Sequence, residues 1–352
     1  MGGGRIMATL NVPATYATIT LAYAAALAGD EIVIAPGSYI FAPLDIVLDS
    51  ITIRGSTGIA ADVQITHVAG AVDAAGYMWR VTGLLATIKD LSLTVFDTGA
   101  VWAIRSVSNV ITGMKFENLI IKTSCNGIWA TGTGSEVNRV DLEVTRTIAT
   151  GVQMFGIYCD STGTAFTGLV RNNKVWASVG RWFYAGIWAY TAYVRNNTVY
   201  CDETGWTSPL SYGIYGGRID NCICQIDNFV AGTQFGIRKY YSEGSNASWV
   251  VGAPDDVTAY HAAAAATSVA TLAIAASAQP LMILPPSNMK PGFASLAFNT
   301  ANPAKTYDPD LAGINWAAAP SMGAYQSTAV AHDPNQSVLN NLANLNNLNN
   351  LS

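Results

Sequence analysis

One short phrase, a glycine followed by isoleucine and then a large residue, recurs five times in the middle of the chain. The copies are Gly127-Ile128-Trp129, Gly156-Ile157-Tyr158, Gly186-Ile187-Trp188, Gly213-Ile214-Tyr215 and Gly236-Ile237-Arg238. Their glycines lie 29, 30, 27 and 23 residues apart. Repetition at a period of about 20–50 residues is typical of stacked repeats, in which each repeat packs against its neighbours along the chain.

A second phrase, with paired asparagines, falls between the later copies. It is Val170-Arg171-Asn172-Asn173-Lys174-Val175 and, 24 residues on, Val194-Arg195-Asn196-Asn197-Thr198-Val199, with a degenerate copy at 219–223. No helical pattern separates the phrases, and alternating apolar and polar residues predict short strands. Stacked short strands with Gly and Asn turns are typical of a parallel β-helix, whose equivalent residues stack at ~4.8 Å.

This arrangement predicts the direction of each residue in the phrases. Neighbouring residues of a strand face opposite ways, so the five isoleucines are expected to stack inside and the residues after them outside. The asparagines are expected to form turn ladders, because Asn tolerates left-handed backbone and caps its own turn.

Composition narrows the classes of function. Charged residues make up only 12% of the chain, and the net charge of −5 comes without a basic run, which argues against nucleic acid as the main partner. The cysteines are predicted to be reduced and buried, and no metal or cofactor is predicted. No signal peptide is evident, and the uncharged stretch 262–284 is rich in Ala, Ser and Thr and broken by Pro280, so no membrane span is predicted.

The two ends of the chain carry further motifs. Tyr16-Ala17-Thr18-Ile19, Gly29-Asp30-Glu31-Ile32 and Ala35-Pro36-Gly37-Ser38-Tyr39 resemble the N-terminal cap of the pectin-lyase-like superfamily. The phrase from Pro320 to Gln326 resembles the closing phrase of many β-helix proteins, with Gln326 in place of the usual Glu and the usual Arg missing. The resemblance implies an all-β, single-stranded, right-handed parallel β-helix with a short N-terminal capping helix. It implies no particular activity, because enzymes and non-enzymes share the cap.

These features divide the chain into segments. We expect a flexible leader at 1–15, the N-terminal cap and first coil at 16–40, β-helix coils at 41–250, C-terminal coils and a closing cap at 251–328, and a tail at 329–352. The tail carries a leucine at every third position, separated almost wholly by asparagine: Leu339, Leu342, Leu345, Leu348 and Leu351. It is either a disordered low-complexity segment or a docking arm that orders on a partner.

A catalytic centre is not predicted. The carboxylates of the repeats are scattered, mostly at coil ends, and no aspartate is expected to recur on neighbouring coils at matched register. If the protein is an enzyme, the fallback residues are Asp202 and Glu203 with Arg195 nearby, in a polysaccharide lyase or glycoside hydrolase.

Aromatic residues give the richer signal. From 176 to 215 the chain holds 11 aromatics in 40 residues, against 10% overall. They pack under the coil's own loops, face a neighbouring subunit, or stack on sugar rings. The predicted contact residues are Trp129, Tyr158, Trp188, Tyr215, Arg238, Trp176, Trp182, Tyr184, Trp206 and Tyr212.

The favoured functional hypothesis is a structural or adhesive protein of a phage virion surface: a capsid decoration protein, head fibre or tailspike. Its expected partners are further copies of itself, with a trimer favoured, capsid or tail proteins, or a cell-surface glycan. The alternatives are a polysaccharide-cleaving depolymerase and a non-enzymatic carbohydrate-binding protein, extracellular or on a cell surface. The hypothesis depends on analogy between folds.

Overall fold

The computed structural model describes residues 6–41, 43–67, 76–96, 101–106, 113–146, 154–159, 168–179, 183–202, 210–227, 233–243, 246–250, 260–262, 273–275, 282–284 and 288–291. At 146, 179, 183–184, 190–191, 202 and 210–211, and beyond Cys224 except at Ile237, it describes the backbone alone.

Short strands make up nearly all of the regular structure. The first elements are β1 (Thr9–Val12), α1 (Ile19–Ala25), β2 (Glu31–Ile34), β3 (Gly37–Phe41), β4 (Leu44–Ile46), β5 (Thr52–Gly55), a 3-10 turn (Ala60–Asp62), β6 (Val63–His67), β7 (Tyr77–Val81), β8 (Thr87–Val95) and β9 (Trp102–Ser106). The next are β10 (Lys115–Thr123), β11 (Asn126–Trp129), β12 (Glu136–Arg146), β13 (Met154–Tyr158), β14 (Leu169–Arg171), β15 (Lys174–Val179), β16 (Phe183–Arg195), β17 (Thr198–Asp202), β18 (Leu210–Asp220) and β19 (Ile223–Asp227). The last are β20 (Thr233–Glu243), β21 (Asn246–Val250), β22 (Tyr260–Ala262), β23 (Ala273–Ala275), β24 (Met282–Leu284) and β25 (Asn288–Pro291).

These strands form three parallel faces, and each coil of the chain crosses all three in turn. Face A contains β2, β5, the first halves of β8, β10 and β12, then β14 and the second halves of β16, β18 and β20. Face B contains β3, β6, the second halves of β8, β10 and β12, then β15, β17, β19, β21 and β23. Face C contains β4, β7, β9, β11, β13, the first halves of β16, β18 and β20, and β22. The predicted all-β parallel β-helix is confirmed, and β24 and β25 form a separate antiparallel pair.

The isoleucines of the repeated phrase form one continuous inner column. The register joins Ile128 to Ile157, Ile157 to Ile187, Ile187 to Ile214 and Ile214 to Ile237. All five side chains are fully buried, as predicted. Stacking one side chain on its equivalent in the next coil removes apolar surface from water along the length of the solenoid, which is the main stabilising term of such folds.

The asparagines form the turn between faces A and B. Asn118, Asn172, Asn196 and Asn221 all have left-handed backbone, with φ between 50° and 55°. The next residue in two of these turns points inward: Asn173 Nδ2 donates to Asn197 Oδ1 at 3.0 Å, and Asn197 Nδ2 donates to the Val170 carbonyl at 2.9 Å. The predicted turn ladder is confirmed, and the buried side-chain amides of Asn173 and Asn197 have hydrogen-bond partners.

The N-terminal end differs from the prediction in one respect. Helix α1 begins after Thr18, whose hydroxyl accepts from the Leu21 amide at 3.1 Å, and it buries Ile19 and Ala22, so the capping helix is confirmed. The expectation of a flexible leader at 1–15 is wrong for Thr9–Val12, which pairs in parallel with Glu31–Ile34. The alternation of this segment buries Leu10 and Val12, and so it forms the first strand of the solenoid.

Several predictions lie outside the described residues. They include the closing phrase at 320–326 and the Leu/Asn tail at 329–352 with Leu339, Leu342, Leu345, Leu348 and Leu351. The other proposed segment boundaries stay predictions. Within the described part of the chain, no helix has the length and apolar character of a membrane span.

Candidate contact surface

Face C carries a column of large side chains beside the isoleucine column. The register joins Trp129 to Tyr158, Tyr158 to Trp188 and Trp188 to Tyr215, and continues in the backbone to Arg238 and His261. In the other direction the column continues through Arg105 and Arg80 to Asp45. The predicted stacking of Trp129, Tyr158, Trp188, Tyr215 and Arg238 at one position of successive coils is therefore confirmed at the level of register.

The glycine of each phrase is required because the next coil comes too close for a side chain. A Cβ at Gly127 would lie 2.4 Å from the carbonyl oxygen of Gly156 and 2.6 Å from Cδ2 of the buried Leu142. A Cβ at Gly156 would lie 2.4 Å from the Gly186 carbonyl oxygen and 2.7 Å from Cγ1 of Val175. The glycine and the isoleucine after it thus both face the core, and the strand bends at this point.

This bend adds a second aromatic column, of which the sequence analysis identified only Tyr212. Residues three apart share the outer side of face C, so Phe155 lies beside Tyr158 and Tyr212 lies beside Tyr215. Together with Trp102, these rings form a cluster separate from the main core. We call this cluster the aromatic stripe, which consists of Trp102, Trp129, Phe155, Tyr158, Trp188, Tyr212 and Tyr215.

Ring-to-ring packing holds the aromatic stripe together. Trp188 stacks on Tyr215 with centroids 4.1 Å apart and planes 17° apart, and Phe155 meets Tyr158 edge to face at 4.7 Å. Offset-stacked and edge-to-face pairs are the favourable aromatic geometries. Tyr212 and Tyr215 are buried by this packing, whereas Trp129, Tyr158 and Trp188 are half-buried. The rings of the stripe thus pack on each other, while part of the surface of Trp129, Tyr158 and Trp188 faces outward.

An arginine extends the aromatic stripe at the coil before Trp129. The guanidinium carbon of Arg105 lies 3.9 Å from the Trp129 ring centroid and 4.5 Å from that of Tyr77. Arg80, one coil earlier, pairs with Asp45 at 2.9 Å. The sequence analysis missed these residues because Ala103 and Met78 stand where the later coils have glycine. A search for isoleucine or another large core residue followed by a large outer residue would have found them.

The other predicted contact residues do not all join the stripe. Trp176 lies on face B, in register with Glu143 and Tyr200, and is half-buried. Trp182 and Trp206 lie outside the described residues, and at Tyr184 and Arg238 the backbone alone is described. The contact role of these residues stays a prediction.

Face A presents ion pairs between successive coils instead of aromatic rings. Arg54 Nε lies 2.6 Å from Glu31 Oε1, and Arg171 Nη2 lies 2.7 Å from Glu136 Oε1. Arg139 pairs with Glu117 at 3.1 Å. These pairs join residues one or more coils apart along the face, so they tie coils together electrostatically.

The fallback catalytic residues are distributed over two faces. Arg195 lies on face A, where its Nε is 3.4 Å from Asp220 Oδ2. Asp202 ends β17 on face B, with its backbone alone described, and Glu203 lies outside the described residues. One expectation about the carboxylates is wrong: Asp202 and Asp227 are direct register partners on adjacent coils. The two residues are 25 positions apart in the chain. The sequence analysis missed them because coil length varies, so this spacing alone does not indicate register partners.

The cysteine thiols lie in the interior of the solenoid. All five cysteines are buried and reduced, as predicted. Burial raises the pKa of the Cys222 thiol from an ordinary 9.0 to about 12. No group of three or more His, Cys, Asp or Glu side chains that could hold a metal ion occurs among the described residues.

Comparison with known proteins adds little to this surface. No protein-family model matches the chain, and no curated protein sequence matches it. The solved structures that resemble it include pectate lyase Pel9A, with TM-score 0.41, 10% identity and coverage of 88% of this chain and 91% of that chain. They also include pectin methylesterase PemA from Erwinia chrysanthemi, with TM-score 0.37, 11% identity and coverage of 70% of this chain and 81% of that chain. At these TM-scores neither structure bears on the site, and the assignment of the chain as a parallel β-helix depends on its own strand register.

Proposed function

We propose that the protein is a structural or adhesive protein of a particle surface, which binds a protein partner through the aromatic stripe of face C. The observation that carries the proposal is the in-register column Trp129, Tyr158, Trp188 and Tyr215, joined to a second column by the glycine bend. A hydrophobic core alone does not require this second layer, because the isoleucines already fill the interior. Trp and Tyr are the residues most enriched at the centres of protein interfaces.

The ring geometry favours a protein partner over a sugar. A pyranose ring stacks on a free aromatic face, but in the stripe the faces of Trp188 and Tyr215 are turned to each other, and the guanidinium of Arg105 lies over Trp129. Trp129, Tyr158 and Trp188 are half-buried, so part of each side chain stays accessible beside the Arg105 cation. Such a surface suits a flat apolar contact with a second copy of this chain or with a shell protein.

The biological setting of the proposal is the surface of a phage virion. The low content of charged residues, 12% of the chain, supports a structural role. The capsid, head-fibre and tailspike settings are proposed by analogy between folds.

The proposal is tested by sedimentation of the full chain with and without purified virion particles. We expect concentration-dependent association with copies or particles, and its loss in Trp188→Ala. Trp176→Ala is the matched control, because Trp176 is a half-buried tryptophan on face B. A monodisperse monomer that does not bind the particle would contradict the proposal. Equal loss of association in both variants would contradict it as well.

A depolymerase is the second candidate, and one observation favours it. Asp202 and Asp227 are register partners, so two carboxylate-bearing residues come from adjacent strands. Adjacent strands lie ~4.8 Å apart, and the two carboxyl groups of retaining glycosidases lie about 5–5.5 Å apart. Release of reducing ends from a host glycan by the wild type, abolished in both Asp202→Asn and Asp227→Asn, would establish this activity.

A further inference from the structure

Face A holds an arginine that differs from the other described arginines of that face. Arg218 is exposed, and no carboxylate among the described side chains pairs with it. One of its nitrogens donates to the Tyr193 hydroxyl, and its guanidinium carbon lies 4.8 Å from the Tyr193 ring centroid. Arg218 is therefore held by a neutral partner, and no described carboxylate compensates its charge.

The neighbours of Arg218 add to this positive charge. Arg195 lies over the same tyrosine ring, 4.7 Å from its centroid, and stacks in register with Arg171. Glu136 compensates Arg171 at 2.7 Å, and Asp220 lies 3.4 Å from Arg195, beyond the usual N–H···O distance. Among the described side chains, Glu136 thus faces Arg171 and Asp220 lies beside Arg195, whereas no described carboxylate pairs with Arg218.

A single carboxylate fits this arrangement. One uncompensated positive charge matches a monoanion, and a guanidinium fork matches the two oxygens of a carboxylate in a bidentate contact. Because the Tyr193 hydroxyl takes up only one nitrogen of Arg218, the remaining N–H groups are available to such a ligand.

The surroundings of the Tyr193 ring distinguish between two sources of that carboxylate, an acidic sugar and an acidic side chain. A uronic sugar would gain affinity by stacking on Tyr193, but two guanidinium groups already lie against this ring. An acidic side chain needs no stacking surface. Arginines with fixed orientation are also frequent hot spots of protein interfaces.

We propose that Arg218, with Tyr193 and Arg195, forms a binding site on face A for an acidic side chain of a partner polypeptide. The site lies on a different face from the aromatic stripe and does not depend on the function proposed for that stripe. It gives the solenoid a second, charge-selective contact surface.

The test is titration of the full chain with hexaglutamate, hexaglucuronate and sulfate at low ionic strength. We expect saturable binding of hexaglutamate that weakens about tenfold or more in Arg218→Gln, in line with the strength of charge-assisted hydrogen bonds. Arg218→Lys keeps the charge but loses the fork, and we expect a smaller but measurable loss. Lys115→Gln is the matched control, because Lys115 is an exposed cation on the same face without a described carboxylate partner.

Three results would overturn the proposal. Failure of the wild type to bind hexaglutamate would show that face A has no such binding site. Equal weakening in Lys115→Gln and Arg218→Gln would show diffuse attraction by the whole face. Tighter binding of hexaglucuronate or of sulfate than of hexaglutamate would exclude an acidic polypeptide as the intended ligand.

Discussion

Faces A and C are built from the same coils but use their columns differently. Face C stacks aromatic rings on each other, with Trp188 and Tyr215 at 4.1 Å, whereas face A pairs arginines with carboxylates of neighbouring coils, as in Arg171 and Glu136 at 2.7 Å. A parallel solenoid places equivalent residues of successive coils ~4.8 Å apart, so their side chains form a column. Identical residues in a column suit rings, which attract each other. Like charges in register repel, so the stacked Arg171 and Arg195 each have a carboxylate nearby, Glu136 and Asp220. The comparison shows that one backbone supports an apolar contact face and an ionic face side by side.

The glycine bend is the feature that separates face C from face A, and its removal should have the largest effect. Gly156→Ala places a methyl group 2.4 Å from the Gly186 carbonyl oxygen, so we expect a loss of about 3 kcal/mol in the free energy of unfolding. Gly216→Ala is the control, since its nearest contacts are side-chain carbons of Ile219 and Val194 at 3.0 Å, which yield more easily. Urea denaturation of both variants gives the difference, and equal midpoints would show that the bend does not depend on glycine.

Truncation of a ring tests whether the aromatic stripe stabilises the coil by itself. Tyr212 is 1% exposed although it lies outside the main core. We expect Tyr212→Ala to cost about 3 kcal/mol, with no dependence on salt because the contacts are apolar. Tyr212→Phe keeps the ring and should cost much less. Denaturation at low and high salt measures both, and a strongly salt-dependent loss would contradict apolar packing.

An ion pair on face A should give a smaller and salt-dependent effect. Glu136→Gln removes the charge that faces Arg171, and both side chains are partly accessible to solvent, with exposures of 21% and 11%. We expect a loss of about 1 kcal/mol at low ionic strength that shrinks as salt is added. The comparison of faces would fail if this loss were as insensitive to salt as that of Tyr212→Ala.

The smallest effect concerns the inner side of the turn between faces A and B, where Cys222 lies, and it depends on pH. Burial raises the pKa of Cys222 to about 12 from 9.0, so the folded state keeps a proton that the unfolded state loses. Stability from this thiol is therefore fully present below pH 9.0 and declines between 9.0 and about 12. We expect Cys222→Ala to decline less steeply over that range in alkaline denaturation. Alkylation of Cys222 in the native protein at neutral pH would contradict its burial.

The sequence predicted the inside of the solenoid better than its outside. The isoleucine column and the Asn turns follow from alternation and from left-handed backbone, which are local properties of the chain. Simple alternation, however, places Phe155 and Tyr158 on opposite sides. The glycine between them turns two successive residues inward, so both rings reach the same surface. That bend depends on contact with the next coil, and a single strand does not reveal it.

Irregular coil lengths account for the remaining differences. The pairing of Asp202 with Asp227 and the strand Thr9–Val12 both depend on which coil lies beside which. The spacing of Arg195, Tyr193 and Arg218 likewise depends on the register between β16 and β18. The lengths of the loops decide which residues of adjacent coils lie side by side. These lengths vary, and the repeated phrases do not reveal them.

The central claim is that the outward part of the aromatic stripe is a protein contact surface, and hydroxyl-radical footprinting tests it most directly. The modification rates of Trp129, Trp188, Trp176 and Trp79 would be measured in the free chain and in its assembled or particle-bound state. The account predicts that the rates at Trp129 and Trp188 fall on assembly, the rate at Trp176 stays constant, and Trp79, which is fully buried, stays unmodified throughout. Unchanged rates at Trp129 and Trp188, or protection confined to Trp176, would contradict it.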